Sequence, residues 1–105
     1  MNYKIEYSSK AIKSIEEIYL YITFALSNQS AAHKTISGII ITIEQLSFFP
    51  ERNKITDDPL LSKKNVRFAR YKNFLILYTI YESESIVTII DVFYCKRDIK
   101  NAIKN

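Results

Sequence analysis

The chain has 105 residues and a formal net charge of +4, and 48% of its residues are hydrophobic. This length fits one compact domain, and a single glycine with two prolines excludes collagen-like and low-complexity architectures. A membrane span needs roughly 20 consecutive apolar residues and a signal peptide needs an apolar N-terminal stretch; the sequence shows neither pattern. We therefore predict one domain over residues 1–105, located in the cytoplasm and without membrane contact.

The positive charge lies in the second half of the chain. Residues 1–50 contain four lysines and four acids, whereas residues 51–105 contain seven lysines, four arginines and seven acids. Guanidinium groups suit the recognition of phosphate and carboxylate, so this asymmetry indicates an anionic partner for the second half. The alternative interpretation is an ordinary soluble surface.

The chain begins with a pattern that predicts a strand followed by a helix. Residues 3–8 alternate apolar and polar side chains, which is the period of a half-buried strand. Residues 9–26 repeat apolar side chains every three or four positions, as one face of a helix does. Ser8 or Ser9 is placed to accept hydrogen bonds from the free N–H groups at the start of this helix.

A second helix is predicted from residue 29 or 30 to Phe48, with Asn28 as its cap. Pro50 ends it, because proline pushes the preceding residue out of helical geometry. Gly38 lies in the interior of this helix, where glycine costs about 1 kcal/mol relative to alanine. We expect that glycine is tolerated at this position because a neighbouring helix or the sheet approaches the α-helical backbone closely there. The two helices form a hairpin.

The second half of the chain predicts a sheet. Residues 51–64 are polar and aperiodic, so we expect an irregular loop in which Leu60 and Leu61 touch the core. Short turns separate the next three β-rich segments and require antiparallel pairing; the segments are residues 65–70, 73–82 and 85–96. The last residues form a short helix or a tail. The predicted order is β-α-α-β-β-β, an α+β fold with a helix hairpin on a mostly antiparallel sheet.

The motifs of common catalytic and cofactor sites do not occur in this sequence. It has no glycine-rich phosphate loop, no serine–histidine–acid set and no cysteine–histidine cluster, so we expect neither a cofactor nor a metal. His33 is the sole histidine and is interpreted as an ordinary helix residue. Cys95 is the only cysteine, which rules out an intramolecular disulfide.

Five side chains remain as a candidate site: Arg67, Arg70, Tyr94, Lys96 and Arg97. Positions 67 and 70 point to opposite faces of a strand unless the strand bulges or ends between them. If the strands of Arg67 and Tyr94 are close in the sheet, these two residues and Arg97 form a cationic patch containing a phenol.

Such a patch has the groups for metal-free phosphodiester cleavage, but an unperturbed tyrosine, with a pKa of about 10, is a poor base. The residue types therefore favour anion binding over catalysis. We assign Arg67, Tyr94 and Arg97 to an anion-binding or cleavage patch, and Arg70 and Lys96 to partner binding. The alternative is that these cations only keep a sheet edge soluble.

The order of several segments resembles the ParE/RelE superfamily of small bacterial toxins from type II toxin–antitoxin pairs. The segments are "YKIEYSSKA", "EEIYLYI", "NQSAA", "IEQLSFFPER", "NFLILYTIYE" and "VTIIDVFYCKRD". The resemblance implies the same β-α-α-β-β-β core, a cognate antitoxin and growth arrest when the antitoxin is lost. It further implies roles in plasmid stabilisation and stress response. In this superfamily the RelE-like branch cuts ribosome-bound mRNA without a metal, whereas the ParE-like branch blocks DNA gyrase.

Compared by position with the superfamily, Arg67 matches a basic residue that opens a strand. Tyr94 stands where many relatives have histidine or tyrosine, and Arg97 matches the arginine of the closing motif. The chain departs from the nuclease branch at Leu75, where that branch has an arginine, and it has no tyrosine beyond Asp98. The long helix hairpin and the "FPER" loop are typical of the ParE-like branch.

The resemblance therefore implies a toxin that binds and inhibits DNA gyrase, with the antitoxin as its second partner. Operator DNA would be contacted mainly through the antitoxin. Two alternatives stay open: a ribosome-dependent, metal-independent mRNA endonuclease, and an inactive relative that only binds its partner protein.

Overall fold

The computed structural model describes residues 2–95. Within them the fold is α+β, as predicted, and the order of the long elements is the predicted β-α-α-β-β-β. The strands and helices are β1 (Lys4–Tyr7), α1 (Ser9–Leu20), a π-helix (Tyr21–Ala25), α2 (Gln29–Gln45), a 3-10 turn (Pro50–Arg52), α3 (Pro59–Ser62), β2 (Arg67–Tyr71), β3 (Phe74–Tyr81), a 3-10 turn (Glu82–Glu84) and β4 (Ile86–Tyr94).

The four strands form one sheet in the order β1-β4-β3-β2. The β2–β3 and β3–β4 pairs are antiparallel, and β1 lies parallel to β4. Parallel neighbours need a long connection, and here the chain between β1 and β4 contains the helix hairpin and two further strands. The helices pack on one face of this sheet, and the buried core between the layers is formed by Ala11, Ile39, Ile43, Leu46, Ala69, Ile76, Tyr78, Val87, Ile89 and Val92.

The helix caps lie where the sequence placed them. The Ser8 hydroxyl accepts a hydrogen bond from the Ala11 N–H at 3.0 Å, and the Asn28 side chain accepts one from the Ala31 N–H at 3.0 Å. The predicted helix over residues 9–26 has the expected extent, but only its first part, Ser9–Leu20, is an α-helix. Its last turn is a π-helix, in which the Leu26 N–H donates to the carbonyl five residues earlier at 3.2 Å.

Helix α1 is fastened to β4 by polar contacts beside a β-bulge. The register of β3 against β4 shifts at Leu77/Tyr78, so that one residue of β4, Ile90, is extra. The next residue, Asp91, accepts a hydrogen bond from the Ser14 hydroxyl at 2.6 Å and lies 3.7 Å from the Lys10 ammonium. The bulge thus directs a carboxylate from the sheet to the helix.

Gly38 allows α2 to lie directly against the sheet. A Cβ atom at this position would overlap the phenol ring of Tyr71 on β2. The close approach predicted from the glycine is therefore confirmed, and its partner is an aromatic side chain of the sheet. Only glycine leaves the space for that ring.

The segment between α2 and β2 is more ordered than the sequence predicted. Asp58 caps the short helix α3 through hydrogen bonds to the Leu60 and Leu61 N–H groups at 2.9 and 3.3 Å, and Pro59 occupies its first turn. An acidic cap followed by proline was the available signal. The expectation that Leu60 touches the core is wrong, since this side chain is 76% exposed; Leu61 is half-buried.

Candidate functional site

The structure separates the two residues that the sequence was expected to bring together. Strand β3 lies between β2 and β4, so the strands of Arg67 and Tyr94 are not neighbours. Arg67 is opposite Tyr78 in the middle of β3, whereas Tyr94 is opposite Phe74 at the start of the same strand. Four residues of strand correspond to about 13 Å. Arg67 and Tyr94 therefore belong to two different surroundings.

Arg67 belongs to a hydrogen-bonded network that fixes the loop after α2. Its guanidinium donates to the Asn53 carbonyl at 2.6 Å. The Asn53 amide donates to the Tyr78 hydroxyl at 3.1 Å, and this hydroxyl donates to the Pro50 carbonyl at 2.7 Å. We call Arg67, Asn53, Tyr78 and Pro50 the loop network. One N–H of the Arg67 guanidinium is thus engaged by the protein's own backbone.

Tyr78 is the buried centre of the loop network, with no exposed surface. Burial raises the pKa of its hydroxyl, and the hydrogen bond from Asn53 and the positive charges of Arg67 and Arg52 offset part of this rise. The neutral phenol accepts one hydrogen bond and donates another, and so connects Asn53 to Pro50. It is not a base at physiological pH.

Arg52 fastens the same loop from the side of α2. Its guanidinium donates to the carbonyls of Phe49 at 2.9 Å and Gln45 at 2.8 Å. These are carbonyls at and just beyond the C-terminus of α2, where a cation is favoured. The fixed loop presents Phe48 and Phe49, which are 67% and 56% exposed.

The remaining predicted site residues are only partly described. Arg70 is exposed at the outer edge of β2, and its Nε donates to the Lys72 carbonyl. The Lys72 ammonium lies 5.6 Å from the centre of the Tyr71 ring. The predicted Lys96 and Arg97 lie outside the described residues.

Tyr94 stands at the rim of an apolar groove that sequence reasoning missed. Its ring is 51% exposed and meets Phe74 edge-on, with 5.2 Å between the ring centres. The groove lies between the end of α1 with its π-helix, the start of α2 and the adjoining ends of β3 and β4. It is lined by Glu17, Ile18, Leu20, Tyr21, Ile22, Leu26, Ala31, Thr35, Phe74 and Tyr94.

The sequence does carry a signal for this groove. Leu20 and Tyr21 line the groove, are apolar and fall outside the three-four stripe that faces the core, and they are 50% and 61% exposed. Apolar side chains off the buried stripe of a helix mark a surface that another molecule can cover.

The centre of the sheet face opposite the helices is apolar as well. Because Ile76 and Tyr78 face the helices, alternation directs Leu75 and Leu77 to the other face. Leu75 lies in a row with Arg70 on one side and Phe93 on the other, and only 1% of its surface is exposed. The position at which the nuclease branch has an arginine thus holds a buried leucine.

Residues 2–95 bring together no group of three or more histidine, cysteine, aspartate or glutamate side chains suited to a metal ion. His33 is exposed on α2 and meets Tyr19 edge-on, with 5.5 Å between ring centres. Among the helices in this range, none has the length and apolar character to cross a membrane.

The fold matches that of solved toxin–antitoxin proteins. The RelBE2 toxin–antitoxin complex of Mycobacterium tuberculosis contains a chain that aligns with a TM-score of 0.70 and 16% identity, covering 92% of this chain and 95% of that one. A chain of the chromosomal ParDE system of P. aeruginosa aligns with a TM-score of 0.73 and 14% identity, covering 90% of this chain and 97% of that one. The isolated RelE toxin of E. coli aligns with a TM-score of 0.57 and 13% identity, covering 95% of this chain and 92% of that one. At these identities the likeness shows the fold alone, which is the one shared by these RelE and ParE systems.

The sequence itself matches a family model. The ParE toxin of the type II toxin–antitoxin system, parDE, is matched over residues 5–99. Since this match covers most of the chain, the protein belongs to the ParE toxin family, and the predicted superfamily is confirmed. No curated protein sequence matches the chain significantly.

Proposed function

We propose that this toxin arrests growth by binding and inhibiting DNA gyrase in the bacterial cytoplasm, and that it does so without cleaving RNA. The observation that carries the proposal is the separation of Arg67 from Tyr94. Arg67 donates to the Asn53 carbonyl within the loop network, and β3 stands between the two strands.

Cleavage of a phosphodiester without a metal needs a cation and a proton-transferring group at the same phosphate. Among the described residues, the phenol of Tyr94 is beside Phe74 and the apolar groove, and Leu75 is buried where a nuclease arginine would stand. These surroundings favour protein docking, because exposed apolar patches beside aromatic side chains are typical of protein interfaces.

A cognate antitoxin is the second proposed partner. Family membership supports it, and so do structural neighbours that were solved as RelBE and ParDE assemblies. We expect the antitoxin to contact operator DNA while the toxin contributes little to DNA binding.

Ribosome-dependent mRNA cleavage is the alternative function. One RelE-type structure aligns nearly as well as the ParE-type structure, with TM-scores of 0.70 and 0.73, and Arg70 and Tyr94 are exposed. An inactive, interaction-only relative is the third interpretation.

The experiment is induction of the chain alone in bacteria, followed by assays on purified protein. We expect growth to slow and gyrase supercoiling to be inhibited, with ribosome-bound message left intact. Cleaved message together with unaffected supercoiling would establish the alternative, and normal growth despite soluble expression would establish the inactive interpretation.

Two tyrosine variants test the exposed groove. Tyr94→Ala should weaken gyrase inhibition at least about tenfold if the ring is a buried anchor of the interface. Tyr81→Ala is the matched control, since Tyr81 is 55% exposed at the opposite end of β3. Equal inhibition by the two variants would remove Tyr94 from the interface.

The predicted role of Arg97 has its own test. Arg97→Ala should weaken growth arrest while the thermal unfolding midpoint stays unchanged. A collapse of that midpoint would instead mean that the arginine is structural.

A further inference from the structure

Phe48 and Phe49 form an exposed aromatic pair just beyond the C-terminus of α2. Their side chains are 67% and 56% exposed, although the nearby residues Leu46 and Pro50 are buried. A buried residue before the pair and one after it fix where the pair stands, and the two rings remain in water. Two adjacent large apolar side chains left exposed in this way mark a surface that another molecule can cover.

The backbone of this pair is held by hydrogen bonds. The Phe49 carbonyl accepts one from the Arg52 N–H at 3.1 Å and one from the Arg52 Nε at 2.9 Å. The Pro50 carbonyl accepts another from the Tyr78 hydroxyl at 2.7 Å. Binding costs less conformational entropy when the backbone that carries the contact is already fixed. The pair is therefore preorganised as an anchor, and aromatic side chains are enriched in the cores of protein interfaces.

Two carboxylates converge beside the pair on one phenol. The Tyr3 hydroxyl lies 3.2 Å from an oxygen of Glu82 and 3.5 Å from an oxygen of Glu51, so its single proton serves two negative groups. The Tyr3 N–H donates to the Ser47 carbonyl at 2.7 Å, which ties the start of β1 to the residue before Phe48. Burial raises the pKa of the Tyr3 hydroxyl, and the charges of Glu51 and Glu82 raise it further. Tyr3 therefore stays neutral and leaves both charges uncompensated.

Further negative charge lies at the same end of the molecule. Glu84 belongs to the same 3-10 turn as Glu82, and Glu44 lies in the last turn of α2. The ion pairs found among residues 2–95 involve other acids. The C-terminus of α2 adds partial negative charge, part of which the Arg52 guanidinium offsets through its bonds to two carbonyls there. We call this region the acidic aromatic surface, and it consists of Phe48, Phe49, Glu44, Glu51, Glu82 and Glu84.

The acids are concentrated at this end although the chain as a whole is basic. The net charge is +4, and residues 63–72, "KKNVRFARYK", contain five cations and no acid. The acidic aromatic surface is therefore a local feature and not a consequence of composition. Exposed rings with carboxylates around them suit a cationic partner, because arginine and lysine side chains bind both to aromatic faces and to carboxylates.

We propose that the acidic aromatic surface docks on the cationic, DNA-contacting surface of gyrase, with its glutamates in place of DNA phosphates. Charge complementarity is the argument for this occupant, because an enzyme that acts on DNA carries lysine and arginine along the path of the DNA backbone. The aromatic pair supplies apolar contact area between the charges. The inference rests on the proposed function in naming gyrase as the partner.

This contact is separate from the apolar groove at Tyr94. The groove lies beside the start of β3, whereas the turn with Glu82 and Glu84 follows the end of that strand. Tyr81 is outside the acidic aromatic surface, because Ile80 packs against the core and successive side chains of a strand point to opposite faces of the sheet. The two contacts can therefore be tested independently.

Charge reversal is the first test, with inhibition of gyrase supercoiling by the full-length toxin as the readout. Glu82→Lys with Glu84→Lys should raise the toxin concentration needed for half-inhibition at least about tenfold, because the surface then repels a cationic partner. The matched control is Glu16→Lys with Asp57→Lys. It makes the same change of net charge at exposed positions on α1 and in the loop before α3, and it should inhibit as the unmodified protein does.

The aromatic pair is tested in the same assay. Phe48→Ala with Phe49→Ala should also weaken inhibition at least about tenfold if the rings are anchors of the interface. Ile41→Ala with Leu60→Ala is the matched control, since these side chains are 55% and 76% exposed elsewhere on the molecule. Thermal unfolding checks the fold of each variant. Should the phenylalanine variant fail to fold, the charge reversal decides.

Competition with DNA is the third measurement, made on the unmodified toxin. Toxin and DNA that occupy the same cationic surface exclude each other by mass action. Raising the plasmid concentration tenfold from a saturating level should therefore raise the half-inhibitory toxin concentration about tenfold.

Three results would overturn the inference and leave the proposed function intact. The first is equal inhibition by the charge-reversed protein and its control. The second is a half-inhibitory concentration that does not change with plasmid. The third is self-association of the unmodified toxin in sedimentation that charge reversal abolishes without affecting inhibition, which would make a second copy the occupant. Unmodified toxin that leaves supercoiling unaffected would instead overturn the proposed function, and the gyrase contact with it.

Discussion

The middle and the start of β3 show how similar side chains acquire different roles. In the middle of the strand Tyr78 is fully buried, and its hydroxyl joins the Pro50 carbonyl to the Asn53 amide. Beside the start of the strand the ring of Tyr94, carried by β4 opposite Phe74, is half-exposed next to an apolar groove. Arg67 lies with the first tyrosine, not the second. The cation and the phenol that the sequence suggested as one site therefore belong to the loop network and to a separate apolar groove.

The largest expected effect is a difference in stability between variants of Tyr78 and Tyr94. Tyr78→Ala should lower the free energy of unfolding by about 3–5 kcal/mol, because it leaves a cavity and two polar groups without partners. Tyr94→Ala should cost less than about 1 kcal/mol, since its ring is half in solvent. Urea unfolding of both variants measures the difference. Similar losses of stability in the two variants would contradict the division between a buried and an exposed tyrosine.

A second prediction concerns the interior at the Tyr94 end, where Tyr71 is opposite Phe74. Gly38→Ala should destabilise the fold by about 1–3 kcal/mol, because the new Cβ meets the Tyr71 ring. Adding Tyr71→Val should recover part of this loss by removing the ring. A double-mutant cycle measures the coupling; simple additivity of the two losses would show that the ring is not the obstacle.

Arg67→Ala is expected to cost about 1–2 kcal/mol, since the Asn53 carbonyl loses its charged donor. Arg70→Ala is the control at the edge of the same strand and should change stability by less than about 0.5 kcal/mol. Thermal unfolding of the two variants tests this. If Arg67→Ala abolished toxicity with unchanged stability, Arg67 would have a functional role and not a structural one.

The smallest effect is a pH dependence. The folded-state pKa of Tyr78 is raised above the ordinary 10.0, mainly by burial, so the folded state holds its proton more tightly than the unfolded state. The resulting stability is complete below about pH 10 and is lost as pH rises through the folded-state pKa, at no more than about 1.4 kcal/mol per pH unit. Unfolding experiments above pH 10 should show a shallower decline in Tyr78→Phe than in the unmodified protein. Parallel declines would mean that other groups, such as Tyr7, whose pKa burial also raises, account for the alkaline loss.

Local sequence patterns predicted the elements well because their causes are local. Ser8 and Asn28 cap the helices through contacts three residues along the chain, and Gly38 signalled a close neighbour. The sequence also holds the signal for α3, an acid followed by proline, although residues 51–64 were interpreted as an irregular loop. The π-helical turn has no comparable signature, since it depends on a hydrogen bond displaced by one residue.

The sequence by itself determined the α+β class, the helix hairpin and the antiparallel strands, which follow from periodicity, caps and short turns. The toxin superfamily came from the resemblance of several segments to its members. The sequence also showed the excess of cations in the second half. Only the tertiary structure decided which of those cations share a site, because strand order depends on contacts between residues far apart in the chain. By placing β3 between β2 and β4, the fold assigned Arg67 to the loop network, left Tyr94 beside the groove and exposed Arg70 at the sheet edge.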